Sequence, residues 1–278
     1  MHNPLRIVPV NLADNAVITA TSAAGSLVPD NLRSNYKPVL WRSVGLEETI
    51  TISLPRYEFI NCVALLWNNL SVTSEVRVQV FDSAGGTEVH DTGWLWANAP
   101  DSLENFDWGG EGLGENHHYM RTVSPAYTVV WLPDLGGEVV SVSLRDLDNP
   151  SGFIEVSRVL VGQWWAPETT ADLGVQVVYD DASQHSRTES GDLRTKSRYK
   201  QKTLSFSMSA LSAQEGDTVL SMLGRSGVST PVFVSLYPEH GDPNLERAYQ
   251  VYGKLQRANP IATPGFNTRQ ARITIEEL

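Results

Sequence analysis

Cysteine is almost absent. The 278 residues hold one, Cys62, which excludes an intramolecular disulfide framework and a cysteine-built zinc site, so folding does not depend on an oxidising compartment. Long apolar runs are absent as well. No stretch approaches the roughly 18 residues of a membrane-spanning helix, and the opening segment Met1-His2-Asn3-Pro4-Leu5-Arg6 lacks the uninterrupted apolar core of a signal peptide. The expectation is a chain made and folded in a cytoplasm, without membrane insertion. Basic residues are outnumbered, 21 Lys and Arg against 32 Asp and Glu, for a net charge of −11. That balance argues against a nucleic-acid partner, because neutralising phosphates takes clustered Lys and Arg.

What is present suffices for a core. The chain is 41% hydrophobic and 19% charged, a folded rather than a disordered composition, and its length fits two domains of roughly 100 to 200 residues each. All eight tryptophans (Trp41, Trp67, Trp94, Trp96, Trp108, Trp131, Trp164 and Trp165) precede residue 166. Through residue 166 there are 9 basic and 19 acidic residues, net −10; after it there are 12 and 13, net −1. Composition thus divides the chain into domains 1–166 and 167–278, joined at Trp165-Ala166-Pro167-Glu168-Thr169-Thr170, which has linker character.

The first part predicts strands. Runs rich in Val, Ile, Thr and aromatics recur between Gly, Pro, Asn and Asp clusters, at 16–20, 48–54, 76–81, 127–132, 140–144 and 153–161. Most alternate at period two, as a half-exposed antiparallel sheet does, and no helix of ten or more residues is convincing there, so a β-sandwich is expected. Cys62 lies in the apolar run 59–67, where a buried, inert thiol is expected rather than a nucleophile. Residues 83–125 break the pattern, alternating Gly-rich turns with tryptophans, and read as a long loop insertion. Its aromatic residues Trp94, Trp96, Trp108 and Tyr119 are candidates to anchor a partner protein or to stack on a glycan; folding back to cap the sandwich is the other reading.

The second part begins with strands at 173–179 and 202–208. It then carries one helix signal near 212–224: Ser212 and Glu215 have capping-box spacing, Val219, Leu220 and Leu223 supply an apolar face, and Gly224 or Gly227 is a stop. Strands at 231–237, 248–255 and 272–276 follow. The fold class is therefore all-β, a sandwich followed by a smaller β domain with one short helix.

Asp30-Asn31-Leu32 followed by Val39-Leu40-Trp41-Arg42-Ser43, ahead of the strands at 48–54 and 60–67, resembles the galactose-binding-like jelly roll of discoidin-type domains, over about residues 10–165 and interrupted by the insertion. In the second part, Leu211-Ser212-Ala213, Met222-Leu223-Gly224-Arg225, the strand Pro231–Pro238 and the ending Ile273-Thr274-Ile275-Glu276-Glu277-Leu278 resemble β-rich domains of tailed-bacteriophage tail-tip and baseplate proteins. Together they are similar to a siphophage tail-tip component. The resemblance implies a non-enzymatic virion structural protein, located in the tail and assembled in the host cytoplasm. Its implied partners are other tail-tip or baseplate proteins and further copies of itself in a homo-oligomeric ring, a trimer or hexamer. The alternative is a carbohydrate-binding module or adhesin recognising host surface glycans.

No catalytic constellation emerges. His117-His118 with Glu111 and Glu115 has metal-ligand residue types, but neighbours on an extended segment point to opposite faces, which favours a solvated loop. Asp180-Asp181 with His185 and Ser186 reads as a polar turn, since no nucleophile motif accompanies it. The jelly-roll resemblance points to Asp30 and Asn31 as weak Ca2+ candidates; no EF-hand pattern is present, and no cofactor is expected. Finally, the stretch from Arg187 to Lys202 is basic. Arg194, Lys196, Arg198, Lys200 and Lys202 are spaced by two, which on one strand would place them on one face; a nucleic-acid contact is one reading, and an electrostatic dock for an acidic neighbour such as another copy's first domain is the favoured one.

Overall fold

The structure is a computed structural model that describes residues 5–98, 127–240, 243–256, 260–265 and 267–278. It is all-β in character, with strands β1 (Arg6–Val8), β2 (Val17–Ala20), β3 (Trp41–Arg42), β4 (Glu47–Asn68), β5 (Glu75–Phe81), β6 (Glu88–Asp91), β7 (Leu95–Trp96), β8 (Tyr127–Arg145) and β9 (Glu155–Gly162). There follow β10 (Gln176–Asp181), β11 (Gln184–Arg187), β12 (Leu193–Lys196), β13 (Lys200–Ser212), β14 (Val232–Ser235), β15 (Gln250–Leu255), β16 (Ile261–Gly265) and β17 (Thr268–Glu277). The chain forms two compact units. One comprises Val8–Trp165 with Glu239–Ala248; the other comprises Met1–Ile7, Ala166–Pro238 and Tyr249–Leu278.

The first unit holds a sheet in the order β3-β9-β4-β8-β5-β6, with β2 added to β4 and β7 to β5. Two long strands serve both halves of a sandwich. Residues 47–53 of β4 pair with 139–145 of β8, whereas 58–66 pair with 127–137, and the register shifts between Ser53 and Glu58 and again between Ile60 and Cys62. Those shifts are β-bulges, which bend a strand and let Pro55 and Pro133 sit within it. The sequence reading places separate strands at 48–54 and 60–67 and at 127–132 and 140–144; the structure joins each pair into one bent strand. Burial follows this geometry. The first half of β4 alternates, with Ile50, Ile52 and Leu54 inward, while Ile60–Leu66, including Cys62, is buried on both faces; from Cys62 onward the strand pairs with both β8 and β9. Trp41 closes the core, fully buried, its indole Nε1 donating to the Ser22 carbonyl at 2.9 Å. On β9, Arg158 is buried to 0% exposure and pairs with Asp14 at 2.6 Å; burial, outweighing Arg158, pushes the Asp14 carboxyl up.

The second unit is built on a seven-stranded sheet, β1-β14-β15-β17-β13-β10 with β16 added to β17. Its helix, Ala213–Ser226, starts with the expected capping box: Ser212 Oγ accepts from the Glu215 amide and the Glu215 carboxylate accepts from the Ser212 amide. It stops at Gly227, whose φ of 55° is open to glycine and strained for other residues. A second short helix, Pro243–Ala248, belongs with the first unit and carries no signal in the sequence reading. Along β13, Lys202, Leu204, Phe206 and Met208 all point inward, and Lys202 is 0% exposed with Nζ donating to the Gln250 carbonyl at 2.8 Å. Desolvation pulls its ammonium down to about 8, against the opposing charge of Glu277.

Candidate functional site

The outer face of β5 positions the most distinctive surface of the first unit. β5 alternates strictly, sending Val76, Val78 and Val80 into the core and Glu75, Arg77 and Gln79 outward. Registers across four strands then align one row. Glu47 of β4 opposes Arg145 of β8, Arg145 opposes Glu75 of β5, and Glu75 opposes Trp96 of β7. Residues directly opposite in antiparallel strands lie on the same face, so Glu47, Arg145, Glu75 and Trp96 form a line spanning three strand spacings, about 14 Å.

Arg145 organises that line. Its Nε donates to Glu47 Oε1 at 2.8 Å and an Nη to Glu75 Oε2 at 3.4 Å, while its guanidinium lies 4.4 Å from the ring centroid of Trp94. A cation over an indole face is attracted by the ring quadrupole, so Trp94 is held in place by the same side chain that ties the two carboxylates together. Trp96, at the end of the row, is 56% exposed. The neighbouring rows are polar: Thr49 and Ser143 hydroxyls meet at 3.0 Å, Arg77 donates to Asp91, and Gln79 donates to Glu88 at 2.7 Å. Hydrogen bonds from the Arg77 side chain hold the Asp91 carboxyl down at about 2.

The backbone on both sides of Trp94–Trp96 is fixed. The Gly93 amide donates to Asp91 Oδ1 at 2.9 Å, and Gly93 turns at φ 65°, the left-handed region that a residue with Cβ occupies only at a cost. After β7, the Ala97 amide bonds the Ser74 carbonyl, and Asn98 Nδ2 donates to the carbonyls of Leu70 and Ser71 at 3.1 and 2.7 Å. The segment that reads as the start of a loop insertion at 83–125 is thus partly sheet, because β6 and β7 both pair with β5. Trp108 and Tyr119, and the His117, His118, Glu111 and Glu115 cluster, lie outside the described residues.

Other sequence candidates fall elsewhere. Asp30 and Asn31 sit in the 3-10 turn Pro29–Arg33, where Asp30 pairs with Arg33 and Asn31 Nδ2 donates to the Leu40 carbonyl at 2.8 Å. Among the described residues no group of three or more His, Cys, Asp and Glu is arranged to hold a metal ion. Asp180 and Asp181 end β10, and His185 Nδ1 meets Thr195 Oγ1 at 2.9 Å across the β11–β12 hairpin. The basic row does not form as one strand face. The strand is interrupted between Lys196 and Lys200, Lys200 is engaged by Asp181 at 3.7 Å, and Lys202 lies in the core because it shares its face with Leu204. Arg194, Lys196 and Arg198 remain exposed.

The sequence reading misses Glu47, Glu75 and Arg145. Each is an ordinary charged residue locally, and their grouping arises only from the pairing of strands up to about a hundred residues apart; the alternating outward positions of β5 were the available signal.

No protein-family model matches the sequence, and no curated protein matches it. Three solved structures similar to it are carbohydrate-binding or lectin domains. The family 32 CBM of C. perfringens NanJ in complex with galactose is 12% identical over 57% of this chain and 99% of that one, with a TM-score of 0.38. A Streptococcus pneumoniae fucose binding module is 12% identical over 55% and 94%, TM-score 0.37. The lectin domain of lectinolysin complexed with Lewis B antigen is 14% identical over 55% and 96%, TM-score 0.38.

Proposed function

We propose that the Val8–Trp165 unit binds a glycan without transforming it. The observation that carries this reading is the row Glu47–Arg145–Glu75–Trp96: an exposed indole lies in line with two carboxylates and a guanidinium on one face of a sheet. A pyranose offers an apolar CH face that stacks on an aromatic ring and hydroxyls that bond charged groups at its rim, so the row provides both kinds of contact. Charge-assisted bonds to hydroxyls are the stronger kind. Hydrolysis of a glycosidic bond takes two carboxylates with separate acid and nucleophile or base roles; here both accept from the same guanidinium, an arrangement for binding.

The test is a glycan array followed by calorimetric titration of the best hit. Trp96→Ala is expected to weaken binding about thirtyfold, the ~2 kcal/mol of an aromatic anchor. Unchanged affinity in that variant removes the row as the site.

A second reading, a structural subunit of a virion tail tip, draws on a different observation: β11 and β12 are exposed along their whole length, the form of an assembly arm. Mass spectrometry of purified particles tests it, and absence of the chain from virions rejects it.

A further inference from the structure

We infer that the two-stranded ribbon between Val178 and Lys200 is an arm that docks on the acidic Val8–Trp165 unit of a second copy of this chain. The inference requires neither a glycan nor a virion.

The ribbon is a continuous structure. β10 pairs with β13 from Gln176↔Ser205 to Asp181↔Lys200, the Ala182 amide bonds the Tyr199 carbonyl, the Arg198 amide bonds Ser183 Oγ at 3.0 Å, and β11 pairs with β12 out to Arg187↔Leu193. From Tyr179 to Arg187 it extends about 25 Å at the rise of a strand. Nearly all of it is exposed: every residue from Gly191 to Lys200 is in this class, as are β11 and β12 entirely. An isolated two-stranded ribbon is marginally stable in water, and this one leaves Leu193 and Tyr199 at 57% and 69% exposure. A ribbon this exposed, marginal by itself, is suited to dock on a neighbour.

Charge identifies that neighbour. Opposed residues share a face, so Gln184, Lys196, Ser186 and Arg194 lie together on the docking face, while Leu193, opposite Arg187, lies on the other face. The Arg198 guanidinium joins them through its bond to Gln184 Oε1. Among the described residues, the ion pair within the ribbon is Lys200–Asp181, and Arg194, Lys196 and Arg198 engage no carboxylate. This chain itself supplies the opposite charge, since residues 1–166 carry 19 acidic against 9 basic side chains, net −10.

The experiment is sedimentation velocity on the full chain, with wild type, the triple variant Arg194→Glu, Lys196→Glu, Arg198→Glu, and its neutral counterpart with Gln at the same positions. Salt is varied from about 0.1 M to about 1 M, which shortens the screening length from about 10 to about 3 Å. Wild type is expected to self-associate at low salt and to weaken at least tenfold at high salt. The Gln variant is expected to be weaker, and the Glu variant monomeric, each with an unchanged melting profile. A wild type that stays monomeric at both salts overturns the inference, as does association that survives charge reversal. Because the readout is mass, it is separate from that of glycan binding.

Discussion

β4 and the β10–β13 ribbon are both long antiparallel pairings, yet they serve opposite ends. From Ile60 to Leu66 every side chain of β4 is buried and from Cys62 the strand pairs on both edges, whereas β10 is exposed at five of its six positions. A strand flanked on both sides adds to the core that holds the fold. A strand at the edge of a sheet leaves its backbone and side chains to be used by something else. Substitutions in the first region are therefore expected to act on stability, and those in the second on association.

The largest effect tests the buried end. Trp41→Ala removes a fully buried indole and its bond to Ser22, and denaturant unfolding is expected to lose about 3–5 kcal/mol. A loss below about 1 kcal/mol would mean that this core is not packed as described.

Next is Lys202, at the inner end of the ribbon strand. The folded chain releases its proton at about 8, the unfolded chain at 10.5. Between those values the unfolded state binds the extra proton, so unfolding free energy is expected to rise with pH, by about 3 kcal/mol across the window. Lys202→Met keeps the aliphatic stem and should abolish the rise. A pH-independent stability in the wild-type chain contradicts the burial of this ammonium.

Smaller again is Gly93→Ala, expected to cost about 1–2 kcal/mol through the positive φ and to displace Trp94 and Trp96 from the row; retention of full glycan affinity would show that the turn does not set their position. The smallest effect belongs to the ribbon. Leu193→Ala and Tyr199→Ala are expected to change monomer stability by no more than about 0.5 kcal/mol, and a larger loss would mean that those side chains belong to a core after all.

Much of the fold was legible because period two writes itself plainly where one face of a strand is wet: the run at 76–81 is β5 almost to the residue, and Ser212 with Glu215 announced the helix. Prolines 55 and 133 hid the continuity of β4 and β8, since a bulge that tolerates proline depends on the partner strand. Spacing by two did not bring Lys202 to the surface with the other basic residues, for a related reason. Alternation fixes which residues share a face, but only the partners on that face decide whether it is core or surface, and Leu204, Phe206 and Met208 made it core. At the candidate site, Trp94 and Trp96 stood out as rare residues in a turn-rich segment. Glu47, Glu75 and Arg145 did not, because their meeting is a matter of register across β4, β8 and β5.

The proposed glycan would stack on Trp96 beside the Arg145-linked carboxylates. The most direct measurement is titration of one array-selected glycan into wild-type protein and Trp96→Ala, with unfolding midpoints measured in parallel. Affinity is expected to fall about thirtyfold while the midpoint stays unchanged. Equal affinity in the two proteins would contradict it.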